Sequence, residues 1–225
     1  MRDVDQGAAG TCVILASLSA VAASGVNLAD RITPLGGDRY EVPLYRPGTG
    51  WVTQTVTFDG TWTANDPAPR GPGDFWVLLY QRAYLQEMGV NWADPDAARW
   101  AERYGGRFQG VTQGLLALTG SADLHSAPVG GLTGRDYLAL RRALAAGRPA
   151  ICATGLAVPA AGGQPALVAD HAYTVLGIRS DAAGTRVRVR NPWGVDGPNV
   201  ASGTDGAFDL PWATFSRAMT SYCLA

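Results

Sequence analysis

Apolar residues run almost unbroken from Val13 to Val26, with no polar stripe at helical spacing, and this opening stretch predicts a buried helix from about Cys12 to Ser24. The glycine-punctuated segment DQGAAGT precedes it, with Thr11 available as an N-cap. After Gly25 the pattern changes to period two. RYEVPLY and WVTQTVTF, with PGTG between them, predict a β-hairpin, and the Pro- and Gly-rich TANDPAPRGPGD predicts a loop. In DFWVLLYQRAYLQEM, Phe75, Leu78, Leu79, Arg82 and Leu85 return at helical spacing, which predicts an amphipathic helix starting at Asp74. A second helical stretch follows around DPDAARWAERY. Between Gly105 and Gly131 only Gln113 to Leu118 reads as helix, and the rest reads as a crossing between two halves. DYLALRRALAAG predicts a helix closed by Gly147. RPAICATG, DHAYTVLGIRS and TRVRVRNPWG predict successive strands, and GAFDLPWATFSRAMTSYCLA a strand, a helical turn and a last strand. Helices lead in the first half and strands in the second, an order that suits an α+β protein with two lobes, residues 1–108 and 109–225.

Composition narrows the class. A chain of 225 residues can bury a substantial core, and 47% apolar with 16% charged residues belongs to a globular protein. All 18 basic residues are arginine, the net charge is -1, and no basic stripe forms, which argues against a nucleic-acid partner. A membrane partner is not expected either. No window approaches the roughly 20 apolar residues of a membrane span, and Ser17, Ser19 and Ser24 interrupt the first apolar run. That run begins too late, behind Asp3, Asp5 and Gln6, for a secretory signal. No compartment follows from the sequence, and the short leader before Gln6 is compatible with a segment cut from a longer protein. The three cysteines, Cys12, Cys152 and Cys223, are too few and too scattered for a disulfide framework and read as free thiols.

The candidate chemistry begins at Cys12. A thiol attacks as thiolate, and the dipole and unpaired N–H groups of a helix start favour that charge. Gln6 stands six positions earlier, where its amide could join the Cys12 backbone N–H as an oxyanion hole, and Gly7 and Gly10 would let a carbonyl approach the backbone. Alone, Cys12 reads better as a small buried residue opening a core helix. His171 in DHAYTVLGI reads alone as a core histidine, and Asn191 in VRVRNPWG as a turn starter. Together they point elsewhere. Neighbouring antiparallel strands would set the asparagine oxygen against the imidazole, with Trp193 shielding the bond from water. The second histidine, His125, reads as a surface-loop residue, and Cys152 and Cys223 as core. No metal-ligand spacing or nucleotide-binding motif occurs.

DQGAAGTCVILASLSAV resembles the cysteine-bearing QGxxGDCW helix of the calpain protease core. DHAYTVLGI is similar to that family's GHAYSV strand, VRVRNPWG to its LRNPWG segment, RYEVPLY with WVTQTVTFDG to its early hairpin, and DFWVLLYQRAYLQEMG and DGAFDLPWATFSRAM to its later helix and closing segment. The resemblance runs from Val4 to Cys223. It implies a papain-like fold with a helical lobe carrying the nucleophile, a β-rich lobe carrying histidine and asparagine, and a cleft between them. It implies Cys12 as nucleophile, Gln6 as oxyanion donor, His171 as base, Asn191 as orienting amide and Trp193 as shield, with Gly10, Thr11 and Asp170 at the binding cleft. The reaction implied is hydrolysis of extended peptides through a thioester acyl-enzyme, with an apolar side chain preferred two residues before the scissile bond.

Some positions depart from the family. Thr11 replaces the Asp before the nucleophile, Val13 the Trp after it, and Asp170 stands where calpains commonly carry Gly. Gly197 and Ala207 occupy positions where carboxylates contribute to a calcium site, so no metal or other cofactor is expected. Two further readings stay open: an acyltransferase using the same Cys-His-Asn site, and an inactive peptide-binding module.

Overall fold

The computed structural model describes residues 4–68, 73–104, 106–128, 130–155, 157–159, 166–196 and 205–225. In chain order the elements are α1 (Cys12–Ala23), β1 (Thr33–Gly36), β2 (Arg39–Arg46), β3 (Gly50–Thr57), α2 (Phe75–Glu87), α3 (Trp100–Arg103), α4 (Val111–Thr119), β4 (Asp123–Ser126) and α5 (Gly134–Ala145), then β5 (Ala150–Thr154), β6 (Ala172–Asp181), β7 (Gly184–Arg190), β8 (Ala207–Pro211), α6 (Trp212–Ala218) and β9 (Met219–Leu224). Among the described residues, six α-helices and two sheets make a mixed α/β chain, compatible with the α+β class.

Alternation along the late strands builds the centre of the molecule. The larger sheet runs β4-β9-β5-β6-β7-β8 with every neighbouring pair antiparallel. Ile151, Ala172 and Cys223 face a core built on α1, α2 and α4. Their chain neighbours Cys152, Tyr173, Tyr222 and Leu224 face a second core closed by α5 and α6, because successive strand residues point to opposite faces. In β7 the same rule sends Val187 and Val189 to the second core and leaves Arg190 facing α1.

Helix α1 is buried from Val13 to Val21, as its unstriped apolar run predicts. Ser17 satisfies itself on the Val13 carbonyl at 2.8 Å. There α4 crosses so tightly that a Cβ on Gly114 would stand 2.5 Å from Ser17 Oγ, so the crossing depends on glycine.

Several expectations need correction. Helix α2 is not amphipathic: every residue from Trp76 to Leu85 is buried, because β2, β3, α1 and the 61–68 loop surround it. Neither Thr11 nor Asp74 caps its helix with a side-chain hydrogen bond. The hairpin gains a third strand, β1, paired with β2. The stretch read as a crossing contributes β4 to the sheet, and His125 is a half-buried strand residue stacked on Tyr222, ring centroids 4.5 Å apart, rather than a loop residue. So short a strand shows no alternation of its own and exists through its pairing with β9. The core on α1 also takes in Leu115, Ala117 and Leu118 of α4, beyond residue 108. Residues 69–72 of the TANDPAPRGPGD loop and Gly197 lie outside the described residues.

Candidate active site

Cys12 opens α1 half-buried, in a cleft of about 680 Å³ that Gln6, Gly10, Asp170, His171 and Trp193 also line. That volume lies in the ordinary range for a ligand site. His171 stands immediately before β6 and Asn191 immediately after β7, so strand pairing brings the two ends together. His171 Nε2 and Asn191 Oδ1 are 2.9 Å apart, with Asn191 fully buried.

One bond fixes the proton on this imidazole. The Trp193 backbone N–H donates to Asn191 Oδ1 at 3.1 Å, which only an oxygen can accept, so the amide is oriented with oxygen toward the ring. Nε2 must then carry the hydrogen, and Nδ1 keeps its lone pair. The Trp193 ring lies 4.9 Å from the imidazole at 55°, and Tyr173 meets it edge-on at 4.9 Å. The thiol is reached by the backbone at Ala172, the residue after His171, and no direct hydrogen bond joins thiol and imidazole in this structure.

Burial dominates the electrostatics of both groups. It lowers the His171 pKa to about 4, against a smaller upward pull from Asn191. It also raises the Cys12 thiol, although hydrogen bonds from the backbone at Ala172 and Val13 draw it down. Desolvation thus opposes the thiolate that a helix start favours and opposes charge on the imidazole as well.

A pH dependence follows. Between pH 6.5 and 4 the unfolded chain protonates this histidine while the folded chain does not. The stabilisation is full above pH 6.5 and is lost as pH falls to 4, by about 3 kcal/mol at ~1.4 kcal/mol per pKa unit. Denaturant unfolding at pH 7 and pH 4 should show that loss, and His171→Gln should remove it. An unchanged pH slope in the variant would contradict the buried neutral imidazole.

Other residues hold this arrangement, Thr154 among them, which the sequence reading missed. The Thr154 hydroxyl accepts from the His171 backbone N–H at 3.1 Å and donates to the Val168 carbonyl at 2.6 Å, pinning the turn before β6. Asp170 in that turn has φ of 47°, a left-handed conformation that Gly, Asn and Asp tolerate best. The Gln6 backbone N–H donates to the Pro192 carbonyl at 2.8 Å. Its side-chain Nε2 donates to the Ala9 carbonyl at 2.6 Å, which leaves its second N–H for a ligand. A Cβ on Gly7 would stand 2.2 Å from the Asp66 carbonyl, so only glycine lets this segment lie along the 63–68 loop.

That loop is held in turn by α2. Thr11 points away from the cleft: its hydroxyl donates to Gln81 Oε1 at 2.8 Å, and Gln81 Nε2 donates to the Asn65 carbonyl. Arg82 makes a two-pronged pair with Asp66, at 3.0 and 2.8 Å, both side chains almost fully buried, and lies 3.9 Å over the Trp92 ring. The signal for both was available as polar side chains amid an apolar helix. Among the described residues, no three His, Cys, Asp or Glu side chains cluster as a metal site would require.

No family model matches the chain. In an alignment 221 residues long, which covers 87% of the chain, it is 27% identical to a protein of Porphyromonas gingivalis (strain ATCC BAA-308 / W83) named Thiol protease, and it spans 44% of that relative's length.

Proposed function

We propose that the chain is a cysteine peptidase of papain-like, two-lobed design, resembling calpain cores, with its cleft between the α1 layer and the late strands. The observation that carries this reading is the His171–Asn191 pair, whose imidazole offers a bare Nδ1 in the cleft that holds Cys12. The similarity to a protein named Thiol protease supports the reaction class.

In this reading the Cys12 proton passes to His171 Nδ1 as Sγ attacks the scissile carbonyl carbon. Burial opposes charge on both thiol and imidazole, which favours proton transfer coupled to attack. The Cys12 N–H, first in its helix and without an intrahelical acceptor, and the Gln6 amide donate to the developing oxyanion. The imidazolium then protonates the leaving amine and the C–N bond breaks, leaving a thioester. Water attacks that thioester, giving its proton to His171, and a carboxylate leaves as the thiol is restored. Asn191 holds the ring throughout, and Trp193 covers their bond.

A peptidyl epoxide tests this. It should alkylate Cys12 and leave Cys152 and Cys223 unmodified, since both are fully buried and burial pushes both thiols up, Cys223 to about 11. Labelling spread over the three cysteines would sink the assignment. The rate should be unchanged in chelator. Of the positions that would supply calcium ligands, Ala207 opens β8 opposite Arg190 with no side-chain oxygen to offer, a poor fit for a cation that takes six to eight oxygens, many of them carboxylate. A rate that depends on added calcium would overturn this part.

A further inference from the structure

We infer that Thr174 and Arg190 are positioning residues that clamp α1 and thereby set Cys12 against His171 and Asn191, an inference that rests on the peptidase reading. The two are direct cross-strand partners on β6 and β7, and each is 1% exposed. Thr174 Oγ1 donates to the Ala16 carbonyl at 2.7 Å. Arg190 Nη1 donates to Ser19 Oγ at 3.1 Å, and Nη2 to the Val4 carbonyl at 2.6 Å.

The chain positions make the clamp specific. Thr174 lies three residues after His171, and Arg190 immediately precedes Asn191. Ala16 lies one helical turn beyond Cys12, and Ser19 about two turns beyond it. Each anchor on the sheet is thus coupled to one member of the His-Asn pair, and each anchor on the helix to the nucleophile. Val4 lies two residues before Gln6, so the same guanidinium also references the segment carrying the oxyanion donor.

Apolar packing alone would not supply this. Hydrophobic contact is non-directional and leaves a smooth helix free to slide or turn by a fraction of a residue. Helix α1 is mostly alanine, valine and leucine, and the hydrogen bonds give it a fixed register. A buried arginine costs several kcal/mol in desolvation, which makes it a poor device for stability alone. Geometry matters here because a displacement of about 1 Å between reacting groups can cost about 10²-fold in rate.

The test uses Thr174→Val, which keeps the side-chain shape and removes the hydroxyl, Thr174→Ser, which restores it, and Arg190→Lys, which keeps the charge but cannot reach both Ser19 and Val4. Two rates are measured on folded protein, each normalised to the folded fraction from denaturant unfolding: kcat for an unstructured protein substrate, and alkylation of Cys12 by iodoacetamide at pH 6, where a buried thiol without a base is nearly inert. Thr174→Val and Arg190→Lys should lower both rates by about 10- to 10²-fold, KM staying within about twofold, and Thr174→Ser should recover them. A purely structural role would move the unfolding midpoint and leave the normalised rates alone. Wild-type rates in both Thr174→Val and Arg190→Lys, with rapid alkylation in the parent, overturn the clamp and leave the peptidase reading standing. A parent that alkylates no faster than a buried thiol lacking a base overturns the peptidase reading and the clamp with it.

Discussion

Replacing Cys12 with alanine should lower hydrolysis of an unstructured protein by at least ~10⁴-fold while the unfolding midpoint stays within about 1 kcal/mol of the parent. The side chain is half-buried at a helix start and packs only at the margin of the α1 core, so truncation to alanine removes a single sulfur atom and little packing. His171→Ala should cost a comparable factor, because a thiol raised by burial needs a base to lose its proton. The two losses should not add. Once the nucleophile is gone the imidazole has nothing to deprotonate, so the double variant should be no slower than either single one. Additive losses, or proteolysis that persists in Cys12→Ala, would remove Cys12 from the reaction.

Arg82→Ala should cost about 3–5 kcal/mol, seen as a fall of roughly 6–20 °C in the unfolding midpoint. Truncation strands the Asp66 carboxylate, almost fully buried, with only the Thr63 backbone and hydroxyl as partners. It also withdraws donors from the Thr57 and Thr61 carbonyls and uncovers the Trp92 ring. Removing both members of the pair should hurt less than the sum of the single changes, since no uncompensated charge then remains. Activity should fall beyond what instability explains, because the 63–68 loop bonds to Asp5 and Ala8 on either side of Gln6. Arg82→Ala with a loss below about 1 kcal/mol would show that the pair contributes little.

The unstriped apolar run of α1, the alternation of β2 and β3, and the order of β5, β6 and β7 were all legible, because each carries its own periodicity over enough residues. Cys12, His171 and Asn191 were legible as candidates because they sit at the ends of those elements. What holds them was not. Thr174 to Ala16, Arg190 to Ser19 and Arg190 to Val4 join residues 158, 171 and 186 positions apart, and no local pattern reports such a bond. Ser19 illustrates the difficulty: in the sequence it only interrupts an apolar run, and in the fold it receives a buried guanidinium. Arg82 falls in with the apolar residues of α2 by helical spacing, yet that spacing says nothing of the loop its charge partner occupies. The state of the thiol was also misjudged, since a helix start suggests a lowered pKa and only the packed structure shows desolvation outweighing it.

The distance in sequence between α1 and the strands that face it sets a timetable. Cys12 is made before His171 and Asn191, which follow only after some 160 further residues, roughly 10 to 30 s later at ordinary rates of synthesis. Until β6 and β7 dock on α1, the thiol has no partner to take its proton. If the chain is the peptidase proposed above, a nascent chain carries its thiol without the means to use it, and its own unfolded segments are packed away by the same docking event that completes the site.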